Sequence, residues 1–478
     1  MQQKSELPEG WALIPLSKTV EILDNRRVPV NSTEREKRIG TVPYYGATGQ
    51  VGWIDDFLFD EELLLLGEDG APFFDRTKSV AYIIKGKSWV NNHAHVLRAI
   101  NEVTTNVFLK YYLNSFDFHD FVTGTTRYKL NQGSMKVIPI TLPPLHEQHR
   151  IVAAIEALFA RMDATNEKLD RVPEIMKAFR QAVLAAACDG RLTEKWRKEN
   201  PSVKNPDDYL REVADFRIKC SKKDELKFKT VSELDVCDLS ELPDSWLWAP
   251  SNVIFSYVTS GSRGWAKYYS DTGSIFLRIG NLDRNSIYLQ LKDIQRVTPP
   301  DNAEGKRTRI QKDDILISIT ADVGSVGYIS EELGDAYINQ HIALARPVQN
   351  LNPKYTAYFL HSQTGGKRQF EKLHRGATKI GLGLDDIRSI AVPLPPLPEQ
   401  QEIVRRVDAL FAFANSVEAK VAAAREKTEI LRQSILAKAF SGELVPTEAE
   451  IARQEGRGYE SAGELMGRIR KEGKVSAK

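Results

Sequence analysis

Cysteine is nearly absent: Cys188, Cys220 and Cys237 are the three in 478 residues. An odd number without C-x-x-C spacing excludes a disulfide framework and a zinc ribbon, and leaves reduced bystander thiols. Long apolar runs are missing too. None approaches the ~20 residues that span a bilayer, and the opening MQQKSELPEGW has no apolar signal region, so a cytoplasmic chain without a membrane partner is expected. Net charge is small: 66 Lys and Arg against 64 Asp and Glu leave +2. By segment, residues 1–145 carry 16 basic and 17 acidic side chains, and residues 242–398 carry 18 and 15. A phosphate-binding face must therefore come from local clustering or from a partner.

Catalytic signatures are the last absence. No G-x-G-x-x-G follows a strand and opens a helix. The LPPL at Leu142 lacks the polar first and aromatic last residues of an adenine-methyltransferase loop, and TGGKRQ at Thr364 lacks the earlier Gly and the Ser/Thr of a P-loop. Pro206-Asp207 with Glu225 and Lys227 matches only a loose nuclease pattern, in a charged stretch where such matches arise by chance. His93 and His95 share one face of a strand, yet no second ligand pair is near them in sequence, so a structural or DNA-contacting role outranks a metal. The expectation is a non-catalytic chain with no metal site.

What is present is a repeat. LPPLHEQHRIVAAIEALF at Leu142 returns as LPPLPEQQEIVRRVDALF at Leu394, an offset of 252 that holds without a gap from Gly124 to Leu192. Further upstream the offset drifts. VNNHAHVL at Val90 resembles INQHIALA at Ile338, and LPEGW at Leu7 resembles LPDSW at Leu242. The chain is an internal duplication whose front portions have diverged.

Within the conserved part, Ile151, Ile155, Leu158, Met162, Thr165, Leu169, Val172, Met176, Phe179 and Val183 alternate at spacings of four and three. Their counterparts are Ile403, Val407, Leu410, Ala414, Val417, Val421, Ala424, Thr428, Leu431 and Ile435. A period of 3.5 sustained this long predicts two coiled-coil helices, matched to one another. The simpler alternative packs each stripe on its own globular module. Prolines precede both helices, Glu147 and Glu399 fall in the first turn where they complement the dipole, and Gly190 and Gly442 stand where C-terminal caps are expected. Pro173 has Arg425 at the matching place, so the first helix is expected to kink or break there.

The divergent parts carry short β-like runs broken by Gly, Asn and Asp, each closing on a more helical stretch. The resulting class is α+β: two mixed α/β modules and two long helices forming an antiparallel coiled coil, with a pseudo-two-fold internal repeat. The expected order is module 1–142, helical spacer 143–190, charged connector 191–241, module 242–394, helical spacer 395–442 and tail 443–478. Such a two-fold arrangement suits duplex DNA. The Gly-flanked loops GTTRYKL and GATKIGL, at one offset, nominate Thr125, Thr126, Arg127 and Lys129, and Thr378 and Lys379, as phosphate or base contacts, with a plain surface loop held by its turn as the alternative. The tight turns in VPYYGATGQ and FLRIGNL add Tyr44, Tyr45, Thr48, Arg278 and Asn281, for which core packing is an equal reading.

The paired LPPLxEQxxIVxxxxALF segments, each behind a divergent module, together with FRQAVLAAACDGRLTEKWR and LRQSILAKAFSGELV, closely resemble the specificity subunit of type I restriction-modification systems. The resemblance spans essentially the whole chain. It implies two target recognition domains, each reading half of a split double-stranded DNA sequence, and helices that set the gap. It further implies docking of two modification (methyltransferase) subunits that bind S-adenosylmethionine, and of restriction subunits that use ATP and Mg2+. This chain would itself carry no cofactor. A methyltransferase fused to recognition domains, which should show a cofactor loop, and a DNA-free helical scaffold are the rival readings.

Overall fold

The run Leu63–Gly67, LLLLG, is buried at every position. A strand apolar on both faces belongs inside a sheet, and here it lies between Ala94–Ala99 and Ala81–Ile84, with Val20–Ile22 at the far edge, all antiparallel. The computed structural model describes residues 7–201, 205–223, 239–299, 303–373 and 381–472. A second four-stranded sheet runs Gly49–Ile54, Val42–Gly46, Lys87–Val90, Phe59–Asp60, with a parallel pair at its centre, and a two-stranded ribbon joins Ala12–Pro15 to Pro139–Leu142. The second module has a counterpart of each sheet, with the parallel pair of the mixed one at its edge. Phe255–Ser260, Ile342–Pro347, Ile315–Ser318 and Val326–Tyr328 form the antiparallel one. Tyr269–Ser270, Gln295–Val297, Ser274–Leu277 and Ala336–Ile338 form the one with a parallel pair, and Leu247–Pro250 pairs with Ala391–Leu394.

The chain forms two compact units that do not follow the linear order expected from sequence. One comprises Met1–Asp170 and Val421–Lys478, the other Arg171–Lys420. The stretch 191–241 is more than a charged connector: it forms helices at Glu194–Glu199 and Pro206–Lys223, and Tyr209 and Val213 are buried in the second unit's core. The tail likewise forms capped helices at Glu448–Glu455 and Ala462–Lys471, whose Leu465, Met466 and Ile469 enter the first unit's core. Both stretches are amphipathic but short, which hid their apolar faces among charges. Among the described residues no helix is long and apolar enough to cross a membrane.

The long helices are Leu145–Asp170, Val172–Cys188 and the unbroken 45-residue Leu397–Ser441. The interruption at Arg171 places Pro173 in the first turn of the next helix, where its missing N–H costs nothing. Gly190 and Gly442 take φ of +80° and +83° just past the helix ends, as caps do. Pairing is antiparallel within each unit. In the first, Asp163 meets Arg432, and Asp170 meets Arg425 at 2.5 Å. In the second, Arg180 meets Glu418 at 2.7 Å, and Arg406 donates to the Leu192 carbonyl at 2.8 Å.

The seam differs from a uniform coiled coil. Ile151, Ile155 and Met162 are buried, but in one core with Phe108 and Leu109 of their own module. Ile403 and Val407 are likewise buried with Tyr355 and Phe359 of theirs. Leu158, Leu169, Leu410, Val417 and Val421 are half-buried, and Leu431 is 51% exposed. Each stripe therefore packs on a globular module where it begins, and the mid-helix contacts combine ion pairs with apolar ones such as the Phe179–Phe413 ring pair and the buried Ala414.

The helix starts are fastened by a device that the first-turn charge reading missed. Glu147 and Gln148, and Glu399 and Gln400, are buried. Glu147 accepts from the indole of Trp11 at 2.9 Å and from the Glu448 backbone N–H at 2.8 Å. Glu399 accepts from the indole of Trp246 at 2.8 Å, from the Thr193 hydroxyl at 2.7 Å and from Arg197 Nε at 2.9 Å. The repeated LPxxW and EQ motifs are thus the two halves of one lock.

Candidate nucleic-acid interface

In the first unit four backbone segments converge. The parallel pairing of Val42–Gly46 with Lys87–Val90 sets the turn at Ala47 and Thr48 beside Asn91. The Asn91 side chain accepts the His93 N–H at 2.8 Å, closing an Asn-x-His turn. Glu68 N–H then donates to the His93 carbonyl, Leu130 N–H to the Glu68 carbonyl, and Gly70 N–H to the Tyr128 carbonyl, at 2.8, 2.8 and 2.9 Å. Between these segments lies a cleft of roughly 510 Å³, lined by Val51, Asp69, Asn91, His93 and Arg127 among others.

The loop carrying Arg127 is tightly shaped. Thr123 and Lys129 exchange both backbone hydrogen bonds, at 2.9 and 2.8 Å. Gly124 has φ of +101°, and a Cβ there would stand 2.5 Å from the Arg127 carbonyl, so only glycine fits. Thr125, Thr126, Arg127 and Lys129 are all exposed. Arg127 Nε donates to Asp69 Oδ1 at 2.7 Å, His93 Nδ1 lies 3.4 Å from Asp69 Oδ2, and Lys129 Nζ lies 3.5 Å from Glu68.

Behind the cleft a buried polar cluster holds this loop. His95 Nδ1 lies 2.7 Å from Asp24 Oδ2 and Nε2 lies 2.9 Å from the Leu130 carbonyl. Both ring nitrogens are thereby engaged by oxygen atoms. Asp24, Glu68 and His95 are ligand types within 4.8 Å of one another, but Arg27 stands among them, 2.7 Å from Glu68 and 3.4 Å from Asp24. With the Arg27 guanidinium facing both carboxylates and both ring nitrogens engaged, this is a structural cluster. It fixes the loop through Leu130 and through Gln132, which donates to Asp24 at 3.0 Å.

Burial alone would raise the Asp24 pKa, but hydrogen bonds and charge from His95, with help from Gln132 and the Val96 N–H, outweigh it and hold the carboxyl below its ordinary 3.8. A depressed folded-state value means stability that is fully present above the ordinary pKa and is lost as pH falls through the folded one. Below about pH 4, wild-type stability should therefore fall more steeply than that of Asp24→Asn, measured as urea midpoints between pH 5 and 2. Parallel curves would dispose of the idea.

The second unit builds the same frame from different side chains. Asn339 accepts the His341 N–H at 3.1 Å. Ile319 N–H donates to the His341 carbonyl and Leu382 N–H to the Ile319 carbonyl, both at 2.9 Å. Thr320 stands in the place of Asp69, with its hydroxyl 2.6 Å from His341 Nδ1. Ala321, at φ of +56°, stands in the place of Gly70, at +73°. A left-handed alanine costs about 1–2 kcal/mol, so this backbone shape is kept even without glycine.

Several nominated residues do not face the cleft. Tyr44 is buried: its hydroxyl donates to the Val30 carbonyl at 3.0 Å, and the Arg35 guanidinium lies 4.8 Å from its ring centroid. Tyr45 is half-buried against Tyr82. Asn281 is buried and structural, accepting the Arg278 N–H at 2.9 Å and donating to the Gln290 and Asp293 carbonyls at 2.8 and 3.2 Å. The Arg278 side chain is half-buried and Thr48 is exposed on its turn. Thr378 and Lys379 lie outside the described residues, as do Glu225 and Lys227 of the loose nuclease pattern, while Asp207 sits exposed in a first helical turn. Asp69, Asn91, His341 and Thr320 were not singled out from sequence. The repeated VNNH and INQH segments held the signal for the turns.

A family model described as the type I restriction modification DNA specificity domain matches residues 8–174 and 271–424. The type I restriction enzyme EcoBI specificity subunit of Escherichia coli is 30% identical over 328 residues, covering 67% of this chain and 62% of that one. The EcoKI specificity subunit of the same species is 26% identical over 470 residues, covering 92% and 90%. The StySPI specificity subunit of Salmonella potsdam is 25% identical over 506 residues, covering 99% and 97%. Among solved structures, the HsdS subunit from Thermoanaerobacter tengcongensis shares the fold with a TM-score of 0.54 at 18% identity, covering 92% of this chain and 99% of that one. A chain from a structural study of type I R-M complex assembly and conformational transition does so with a TM-score of 0.57 at 19% identity, covering 92% and 100%.

Proposed function

The chain belongs to the type I restriction-modification DNA specificity family, and from that premise we propose that its two recognition modules each read one half of a split duplex DNA target. It is a specificity subunit with two target recognition domains. The observation that carries this reading is a shared frame with exchanged contacts. The Asn-x-His turn and the backbone ladder through Glu68 or Ile319 recur in both domains, whereas Asp69 is replaced by Thr320 and Gly70 by Ala321. A reader of two different sequences needs one scaffold and two sets of polar side chains.

The chemistry of modification and cleavage falls to partners. Two modification subunits would bring S-adenosylmethionine, and restriction subunits would bring ATP and Mg2+. This chain supplies positioning, and the absence of a cofactor loop or a phosphate loop from its sequence supports that division. Purified chain incubated with target DNA and S-adenosylmethionine should transfer no methyl groups above background, and transfer should appear on adding the modification subunits. Methyl transfer by the chain alone would sink the proposal.

A further inference from the structure

We propose that the first recognition domain reads a guanine through Arg127, with Asp69 as the positioning residue that aims it. The proposal rests on the reading of the chain as a DNA-specificity subunit and names the base that the first unit's cleft accepts. The starting point is the 2.7 Å hydrogen bond from Arg127 Nε to Asp69 Oδ1. A guanidinium carries five N–H donors in one plane. With Nε–H held by the carboxylate, the terminal amino groups remain as a pair of donors. Arg127 is 62% exposed on the cleft wall while Asp69 is only 23% exposed, so the free end of the fork is the accessible one. Two parallel N–H groups at that spacing match the O6 and N7 acceptors that guanine alone presents together in the major groove.

The carboxylate decides between base and backbone. A phosphate oxygen brought against Arg127 would meet the negative charge of Asp69 at close range and be repelled. A base edge has no net charge and escapes this penalty. The ion pair therefore weakens a phosphate contact and leaves a guanine contact intact. The loop is also preorganised: the Thr123–Lys129 exchange and the Gly70 N–H bond to the Tyr128 carbonyl at 2.9 Å fix its backbone. Arg127 lies across Gly70, where an added Cβ would be 3.4 Å from Nε on a backbone with φ of +73°. The second domain has Thr320 and Ala321 at these places. It lacks the carboxylate, so the assignment concerns one half-site only.

The test is to express the chain with its modification subunits and map the methylated motif for wild type, Arg127→Gln and Asp69→Thr. Wild type should show an invariant G·C pair in one half-site. Arg127→Gln should relax that position alone, with a loss of roughly 5- to 150-fold in preference for guanine, the equivalent of ~1–3 kcal/mol, while the other half-site and the gap stay as they were. Asp69→Thr should lose part of the same preference and bind all duplexes more tightly at low salt. An unchanged motif for Arg127→Gln overturns the assignment. If that variant modifies nothing, anisotropy on four duplexes differing only at the position decides. Selective loss of the guanine duplex supports the assignment, and equal weakening of all four, with the salt slope reduced by about one, overturns it as a phosphate contact. Failure of the underlying reading looks different: the wild-type complex would then modify no defined sequence.

Discussion

Glu399→Ala should destabilise the second unit by about 3–5 kcal/mol, the usual cost of leaving one member of a buried ion pair uncompensated. The side chain is 2% exposed and its partner Arg197 is 18% exposed. Its removal deprives the Arg197 guanidinium of its carboxylate, leaving it the Gly190 carbonyl, and leaves the indole N–H of Trp246 and the hydroxyl of Thr193 without this acceptor. For a unit of this size that corresponds to a fall in melting temperature of roughly 6–20 °C. The same substitution in the other copy of the motif should cost less. Glu147 accepts only neutral donors, the Trp11 indole and a backbone N–H, because Arg150 is turned to Glu448. Burial accordingly pushes the Glu147 pKa above its ordinary 4.5, despite those hydrogen bonds. Glu147→Ala therefore leaves unsatisfied neutral groups, at about 1–3 kcal/mol. Calorimetry on both variants, with the exposed Glu194→Ala as a control that leaves the transitions in place, checks the order. Equal shifts for the two, or a Glu399→Ala transition matching wild type, would refute this account of the lock.

The contrast between these glutamates also shows where sequence reasoning stops. The repeat, the helix extents, the interruption near Pro173 and the glycine caps at Gly190 and Gly442 were legible because each follows from local periodicity or from one residue's backbone limits. That Glu147 and Glu399 face inward was not, since a first-turn carboxylate satisfies the dipole rule equally well when exposed. It takes the indole of a residue 136 or 153 positions away to make the difference. Tyr44 and Asn281 failed for a related reason. A polar tip on a Gly-bounded turn reads as a contact residue, but the Val30 carbonyl and the Gln290 carbonyl consume those tips internally. Arg127 was found because its loop shares the one undrifted offset, whereas its partner Asp69 lies just past a strand end, at a position whose counterpart has diverged to Thr320. Long-range pairing of side chains is what the pattern could not carry.

The last expected result concerns distance. Leu397–Ser441 is one helix whose residues up to Lys420 belong to the second unit and whose remainder belongs to the first. The ion pair Arg180–Glu418 lies before that boundary, and Arg425–Asp170 lies after it. Four residues inserted after Lys420, matched by four after Asp170, leave both sets of pairings intact and add ~6 Å of helix between them at 1.5 Å per residue. Four residues also turn the helix about 40° beyond a full revolution, a stutter that half-buried seam residues such as Val417 and Val421 can absorb by local unwinding. On B-form DNA ~6 Å is close to two base pairs at ~3.4 Å each. The variant should keep both half-site sequences and lengthen the gap between them by one or two base pairs, read by methylome sequencing after co-purification shows that the modification subunits still bind. An insertion after Lys420 alone should fail, because the opposite helical segments are then four residues short. Altered half-sites with an unchanged gap would show that these helices hold the recognition domains without measuring the distance between their targets.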